Sequence, residues 1–74
     1  MKISYNKLWK LLIDKGIKKT ELIKKAGITT NAMAKMGRNE SVQVETLGKV
    51  CASLKCTIND IIEFIPKNEG DYLW

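Results

Sequence analysis

The sequence contains no histidine, and that absence removes the commonest general base and a frequent metal ligand. Catalysis would need another nucleophile with its base. The two cysteines, Cys51 and Cys56, have no activating partner in their vicinity along the chain. Two thiols also fall short of the four ligands of a structural zinc site. The expectation is a protein that is not an enzyme and takes no cofactor and no metal. With no regular framework around these cysteines, a disulfide-stapled secreted scaffold is a poor reading, and free core thiols are expected. Proline occurs once, as Pro66, so only around Ile65 is helix actively broken. No apolar run approaches the ~18 residues that cross a bilayer, and the N-terminus is charged and periodic, unlike a signal peptide. A cytoplasmic protein without membrane contact is expected.

What is present is an ordinary globular composition, 45% hydrophobic and 28% charged in 74 residues. That suffices for one domain with a modest core. Thirteen basic residues oppose eight acidic ones, a net charge of +5, and the balance is uneven. Met1 to Arg38 carries +8, whereas Asn39 to Trp74 carries −3. A positive field confined to the first half favours a polyanionic partner there and leaves the second half for core completion or self-association.

Apolar spacing divides the chain into short helices. Ser4 reads as an N-cap, followed by Tyr5, Leu8, Trp9 and Leu12 on one helical face ending near Gly16. Leu22, Ile23 and Ala26 make a second short helix, with Gly27 at a left-handed turn. Thr29 caps a third helix whose inner side carries Met33 and Met36. The stretch from Gly37 to Ser41 reads as an exposed loop. Leu47, Val50, Cys51 and Leu54 form the strongest stripe, on a fourth helix from about Glu45 to Leu54. Gly48 within it points to close approach by a neighbouring helix. Thr57 caps a short fifth helix through Ile61 and Ile62, reaching towards Phe64. No segment alternates strictly enough for a sheet, so the expected fold is an all-α, compact five-helix bundle over residues 1–66. Residues 67–74, ending Tyr72-Leu73-Trp74, read as a disordered or docking tail.

The stretch GIKKTELIKKAGITTNAMAKM, Gly16 to Met36, resembles the helix-turn-helix of the Cro/C1-type repressor family. Leu22, Ile23, Ala26, Gly27, Ile28, Met33 and Met36 match the family's core and turn positions. The helix before the motif and the KVCASLKCTINDII segment after it extend the resemblance over about residues 4 to 64. It implies a lambda-repressor-like domain that regulates transcription by sequence-specific binding to double-stranded DNA, with the third helix in the major groove.

Helical geometry agrees on which side is free. A third helix held by Met33 and Met36 turns Thr30, Asn31 and Lys35 outward, and Met33 lies about 200° from Asn31 at ~3.6 residues per turn. Asparagine pairs bidentately with adenine, lysine donates to guanine, and threonine's methyl meets that of thymine. Thr30, Asn31 and Lys35 therefore stand as base readers, at the positions where the family reads bases. Lys18 and Lys19, at the start of the second helix, and Thr29, Arg38, Asn39 and Ser41, around the third, are the candidate phosphate contacts. Lys10, Lys24 and Lys25 read as solvated surface. Many family members have glutamine where Lys19 and Thr30 stand, and glycine where Asn39 stands.

The rival reading is a protein-binding helix-turn-helix module of antitoxin or anti-repressor type, since fold alone does not fix function. DNA binding requires Lys18, Lys19, Lys35 and Arg38 on one surface, whereas a protein interface favours exposed aromatic or aliphatic residues. The charge split favours DNA. No small-molecule ligand is implied. A homodimer on DNA is expected, with Ile58, Phe64, Tyr72 and Trp74 near the contact surface.

Overall fold

The structure, a computed structural model, describes residues 2–65; the tail assigned to residues 67–74, including Tyr72 and Trp74, lies outside them. Four α-helices form the body: α1 (Asn6–Lys15), α2 (Lys19–Ala26), α3 (Thr30–Gly37) and α4 (Val44–Leu54). The chain is helical as expected, but the fifth helix is replaced by one 3-10 turn, Ile58–Asp60, followed by a strand. That strand, β2 (Glu63–Ile65), pairs antiparallel with β1 (Lys2–Ser4), in the register Lys2 to Ile65, Ile3 to Phe64 and Ser4 to Glu63. Three residues per strand are too few for alternation to declare itself. Phe64, expected to end a helix, is instead a strand residue opposite Ile3.

One core joins all these elements. Tyr5, Leu8 and Leu12 of the first segment meet Leu22, Ile28, Met33 and Met36 of the central motif. Leu47, Val50 and Leu54 of α4, with Ile61 and Ile62, close it from the other side. These lie on the apolar stripes that the helical spacing identifies, and Trp9, Ile23, Ala26 and Cys51 of the same stripes pack against the core while partly exposed.

The helices begin in different ways. Thr29 caps α3 as expected, its Oγ1 accepting from the Ala32 N–H at 3.0 Å. Ser4 does not cap α1, because its backbone is committed to β1; the helix starts one residue later, behind Tyr5. The Ser4 hydroxyl still accepts the Asn6 N–H at 3.3 Å. At α2, the Glu21 carboxylate accepts the Lys18 N–H at 3.3 Å.

Their ends share one device. The positive-φ residues are Gly16, Gly27, Asn39 and Lys55; three are the first residue past a helix and Asn39 is the second past α3, and at each a left-handed turn returns the chain to the last carbonyls. Ile17, Ile28, Glu40 and Cys56 donate their N–H groups to the carbonyls of Leu12, Ile23, Lys35 and Cys51, at 2.9, 3.2, 2.9 and 3.0 Å. The 6→1 bond of the Schellman motif thus closes all four helices. The helix α3 accordingly runs through Gly37, which sequence reasoning placed in the loop, and its left-handed residue is Asn39. The same motif explains the cysteines. Cys51 and Cys56 are free, half-buried, and stand at the two positions whose side chains meet across such a turn. Burial pushes both thiols up from their ordinary range, which suits inert packing.

Gly48 is not a site of close approach: a Cβ built there meets nothing within 4 Å. It is an exposed glycine in a helix, and Lys55 is a side chain held in a conformation that glycine adopts without strain. Gly48→Ala and Lys55→Gly should each raise stability by about 1 kcal/mol, and the pair additively, moving the thermal midpoint up by roughly 4–8 °C per substitution. Thermal unfolding followed by circular dichroism measures both.

Candidate nucleic-acid interface

The side chains of α3 fall where a helix fixed from behind must put them. Met33 and Met36 are buried, Thr30 and Asn31 are exposed, and Lys35 is half-buried. Asn31 and Lys35 line a groove together with Thr29 and Ala32, and the opposite wall is Gln43, Thr46 and Lys49 of the α4 segment. Sequence reasoning missed this wall. Its available signal was Gln43, a polar N-cap one turn before Thr46, two residues beyond the segment read as an exposed loop.

The six phosphate candidates do not form one cluster. Thr29 sits at the groove, where its hydroxyl oxygen accepts the Ala32 N–H and its O–H proton stays available to donate to an anion. Lys18 and Lys19 are exposed at the head of α2. The Lys19 ammonium rests 4.2 Å from the centre of the Trp9 ring, a cation–π contact that holds its position while leaving its charge intact. Trp9, tilted against Tyr5 with ring centroids 6.4 Å apart, is thus more than the core residue that its spacing indicates.

Arg38, Asn39 and Ser41 line a second concavity with Lys2, Ser4 and Asn6. Arg38 is not free there: its Nε donates to Glu40 Oε2 at 2.8 Å and its guanidinium reaches Oε1 at 3.5 Å. The hydrogen bond with Arg38 holds the Glu40 carboxyl below its usual range, with Lys35 adding to the effect, and Glu40 in turn raises Arg38. Both side chains are exposed, so the pair contributes little to stability. Asn39 is engaged as well. Its Oδ1 accepts the Tyr5 N–H at 3.2 Å, so its amide N–H groups are what remain for an anion. The Tyr5 hydroxyl donates to the Glu40 carbonyl at 2.9 Å, and burial pushes its phenol up.

Among the described residues no group of three or more His, Cys, Asp and Glu side chains could hold a metal ion, and no helix is long and apolar enough to cross a membrane. With the helices, the turn glycine and the exposed α3 stripe in view, comparison with known proteins is decisive. The model of the Cro/C1-type HTH DNA-binding domain matches residues 7–67. The chain belongs to the Cro/C1-type helix-turn-helix family. This Cro/C1-type domain is also similar to the crystal structure of transcriptional regulator VanUg, Form II, with 47% sequence identity and a TM-score of 0.85 over 89% of this chain and 88% of that one. No curated protein matches. As a member of a DNA-binding family, the protein is a DNA-binding domain in general kind.

Tyr5 ties the head of α1 to the loop after α3, so Tyr5→Phe should cost about 1 kcal/mol by leaving the Glu40 carbonyl without its donor. Hydrogen exchange at residues 38–41 should quicken in this variant while the α4 amides keep their protection relative to the new global stability.

Proposed function

We propose that the protein is a sequence-specific transcriptional regulator that lays α3 in the DNA major groove, reading base edges with Thr30, Asn31 and Lys35. The observation carrying this reading is the α3 outer face: Asn31 and Lys35 share an open groove with Gln43 and Thr46, on a helix pinned from behind by Met33 and Met36. An asparagine there can pair with adenine N6 and N7, and a lysine can donate to guanine. Ala32 and Ala34 keep the helix slim enough to approach the bases.

Phosphates would be met on both sides of this helix. Lys18 and Lys19 supply charge at the head of α2, whose first-turn N–H groups already favour an anion. Thr29 adds a hydroxyl proton, while Arg38, Asn39 and Ser41 supply the far anchor. Gln43 and Lys49 extend the near one. Arg38 would share its guanidinium between Glu40 and phosphate, so its contribution is smaller than that of Lys19. The neighbouring structure is named as a transcriptional regulator, and the +8 charge of the first half agrees with the same role. Two copies on paired half-sites, in the cytoplasm, complete the reading.

Selection of bound molecules from random duplex DNA, at two salt concentrations, tests it. The expected outcome is a short enriched motif arranged as an inverted repeat, with affinity falling as salt rises. No enrichment at either salt would leave a protein-binding helix-turn-helix module as the better account.

On the enriched site, Asn31→Ala should cost ~1 to 3 kcal/mol and relax preference at its base pair. Lys19→Ala should weaken all sequences alike and lower the salt slope by about one. Uniform losses from both variants would remove Asn31 from base readout.

A further inference from the structure

Trp9 belongs to α1, outside the helix-turn-helix stretch, and its spacing marks it only as a core residue. Its ring is half-buried, packed against the core and tilted at 46° against the wholly buried Tyr5. A ring backed in this way has little freedom of its own. Lys19 is exposed, and its ammonium lies 4.2 Å from the ring centre. The carboxylate in the first turn of α2, Glu21, accepts the Lys18 N–H instead. What holds the Lys19 charge is therefore an uncharged ring.

We propose that Trp9 is a positioning residue for DNA binding, its ring presenting the Lys19 ammonium to a backbone phosphate. The inference rests on the reading in which Lys19 meets phosphate. A free lysine side chain samples many rotamers, and a contact that must order it is weakened by up to roughly thirtyfold. A ring face that already holds the ammonium removes part of that loss before the DNA arrives. The ring does not oppose the phosphate, because its quadrupole attracts the cation without neutralising it. An ammonium also has three N–H donors, and those turned away from the ring are left for phosphate oxygens.

Tyr5 gives that position its value. The residue that backs Trp9 also donates its N–H to Asn39 Oδ1 and its hydroxyl proton to the Glu40 carbonyl, in the loop that carries the other proposed phosphate anchor. Lys19 and this loop are thus both referred to one aromatic pair at the start of α1. The pair fixes the separation of the two anchors that flank α3. Phosphates along a duplex are regularly spaced, so anchors held at a set separation engage together, with less ordering left to do on binding.

Proton NMR of the full chain without DNA tests the contact first. The ε-methylene protons of Lys19 should resonate upfield of those of the other lysines, shifted by the Trp9 ring current; Trp9→Leu should abolish the displacement and Trp9→Phe should keep part of it. A Lys19 signal among the other lysines in the unaltered protein overturns the proposal. Binding to the enriched DNA site tests the consequence. Trp9→Leu should weaken all sequences alike by about two- to fivefold, leaving base preference unchanged and, because the charge remains, the salt slope unchanged as well. Trp9→Phe should recover most of the loss. In a Lys19→Ala background Trp9→Leu should have no further effect. A variant that only damages the fold weakens binding with or without Lys19, so equal losses in the two backgrounds overturn the proposal. Unaltered protein that binds no DNA overturns this inference together with the DNA-binding reading, whereas equal losses on a site that the unaltered protein binds overturn this inference alone.

Discussion

The placement of α3 depends on Tyr5, a residue that precedes the motif and lies 35 positions from the carbonyl its hydroxyl holds. Its side chain is wholly buried, and it makes three separate hydrogen-bonding connections. Its carbonyl accepts the Trp9 N–H at 3.1 Å and so starts α1. Its N–H donates to the Asn39 side chain, and its hydroxyl donates to the Glu40 carbonyl. A buried phenol needs a partner for its O–H. Here that partner is the backbone just past the C-terminus of α3. The helix is therefore held at its N-terminus by the Thr29 cap, along its inner side by Met33 and Met36, and at its C-terminus by Tyr5. A helix of eight residues has little stability of its own; its orientation is a property of these three attachments.

Asn39 shows how one residue serves two demands. The Schellman ending of α3 requires a left-handed residue there, with φ at 57°, and asparagine accepts that conformation better than most residues with a side chain. Glycine would turn the chain as well but could not offer Oδ1 to the Tyr5 N–H. The departure from the family's usual glycine thus comes with a compensating bond. Its consequence for the proposed phosphate anchor is partial engagement, since the same side chain now also serves the fold.

The helical part of the fold was legible because period 3.6 is a strong signal even in short segments. Leu47, Val50 and Leu54 of the fourth helix's stripe are buried and Cys51 is half-buried, and Gly16 and Gly27 adopt the left-handed turns that their positions indicate. The paired strands were not legible. Their six residues are stabilised by each other across the ends of the described chain, and a contact between Ile3 and Phe64 leaves no periodic trace in either segment. The fifth helix failed for a related reason. Thr57 and Asp60 do hydrogen-bond across the turn, Thr57 N–H to Asp60 Oδ2 at 3.0 Å, but a cap specifies where a helix begins and not how long it runs. Pairing with β1 takes the backbone over from Glu63. For the candidate site, the outward stripe of α3 followed from geometry alone. The engagement of Arg38 by Glu40, of Lys19 by Trp9 and of Asn39 by Tyr5 did not, because each depends on where a side chain finds a partner once the chain has folded.

These engagements divide the cations by what they can do. Lys19 lies over an uncharged ring, so its full charge is available to an anion. Arg38 lies against a carboxylate, so approaching phosphate must compete with Glu40 for the same guanidinium. Competition of this kind lowers affinity for every duplex alike, because phosphates are common to all sequences. On the proposed reading it would therefore shift the balance of binding from the uniform backbone contribution towards the contacts of the α3 face, which would differ from one sequence to another. A small domain with a net charge of +5 attracts polyanions in general, and on the proposed reading the carboxylate of Glu40 beside Arg38 would temper that attraction at the point where it would otherwise be least selective.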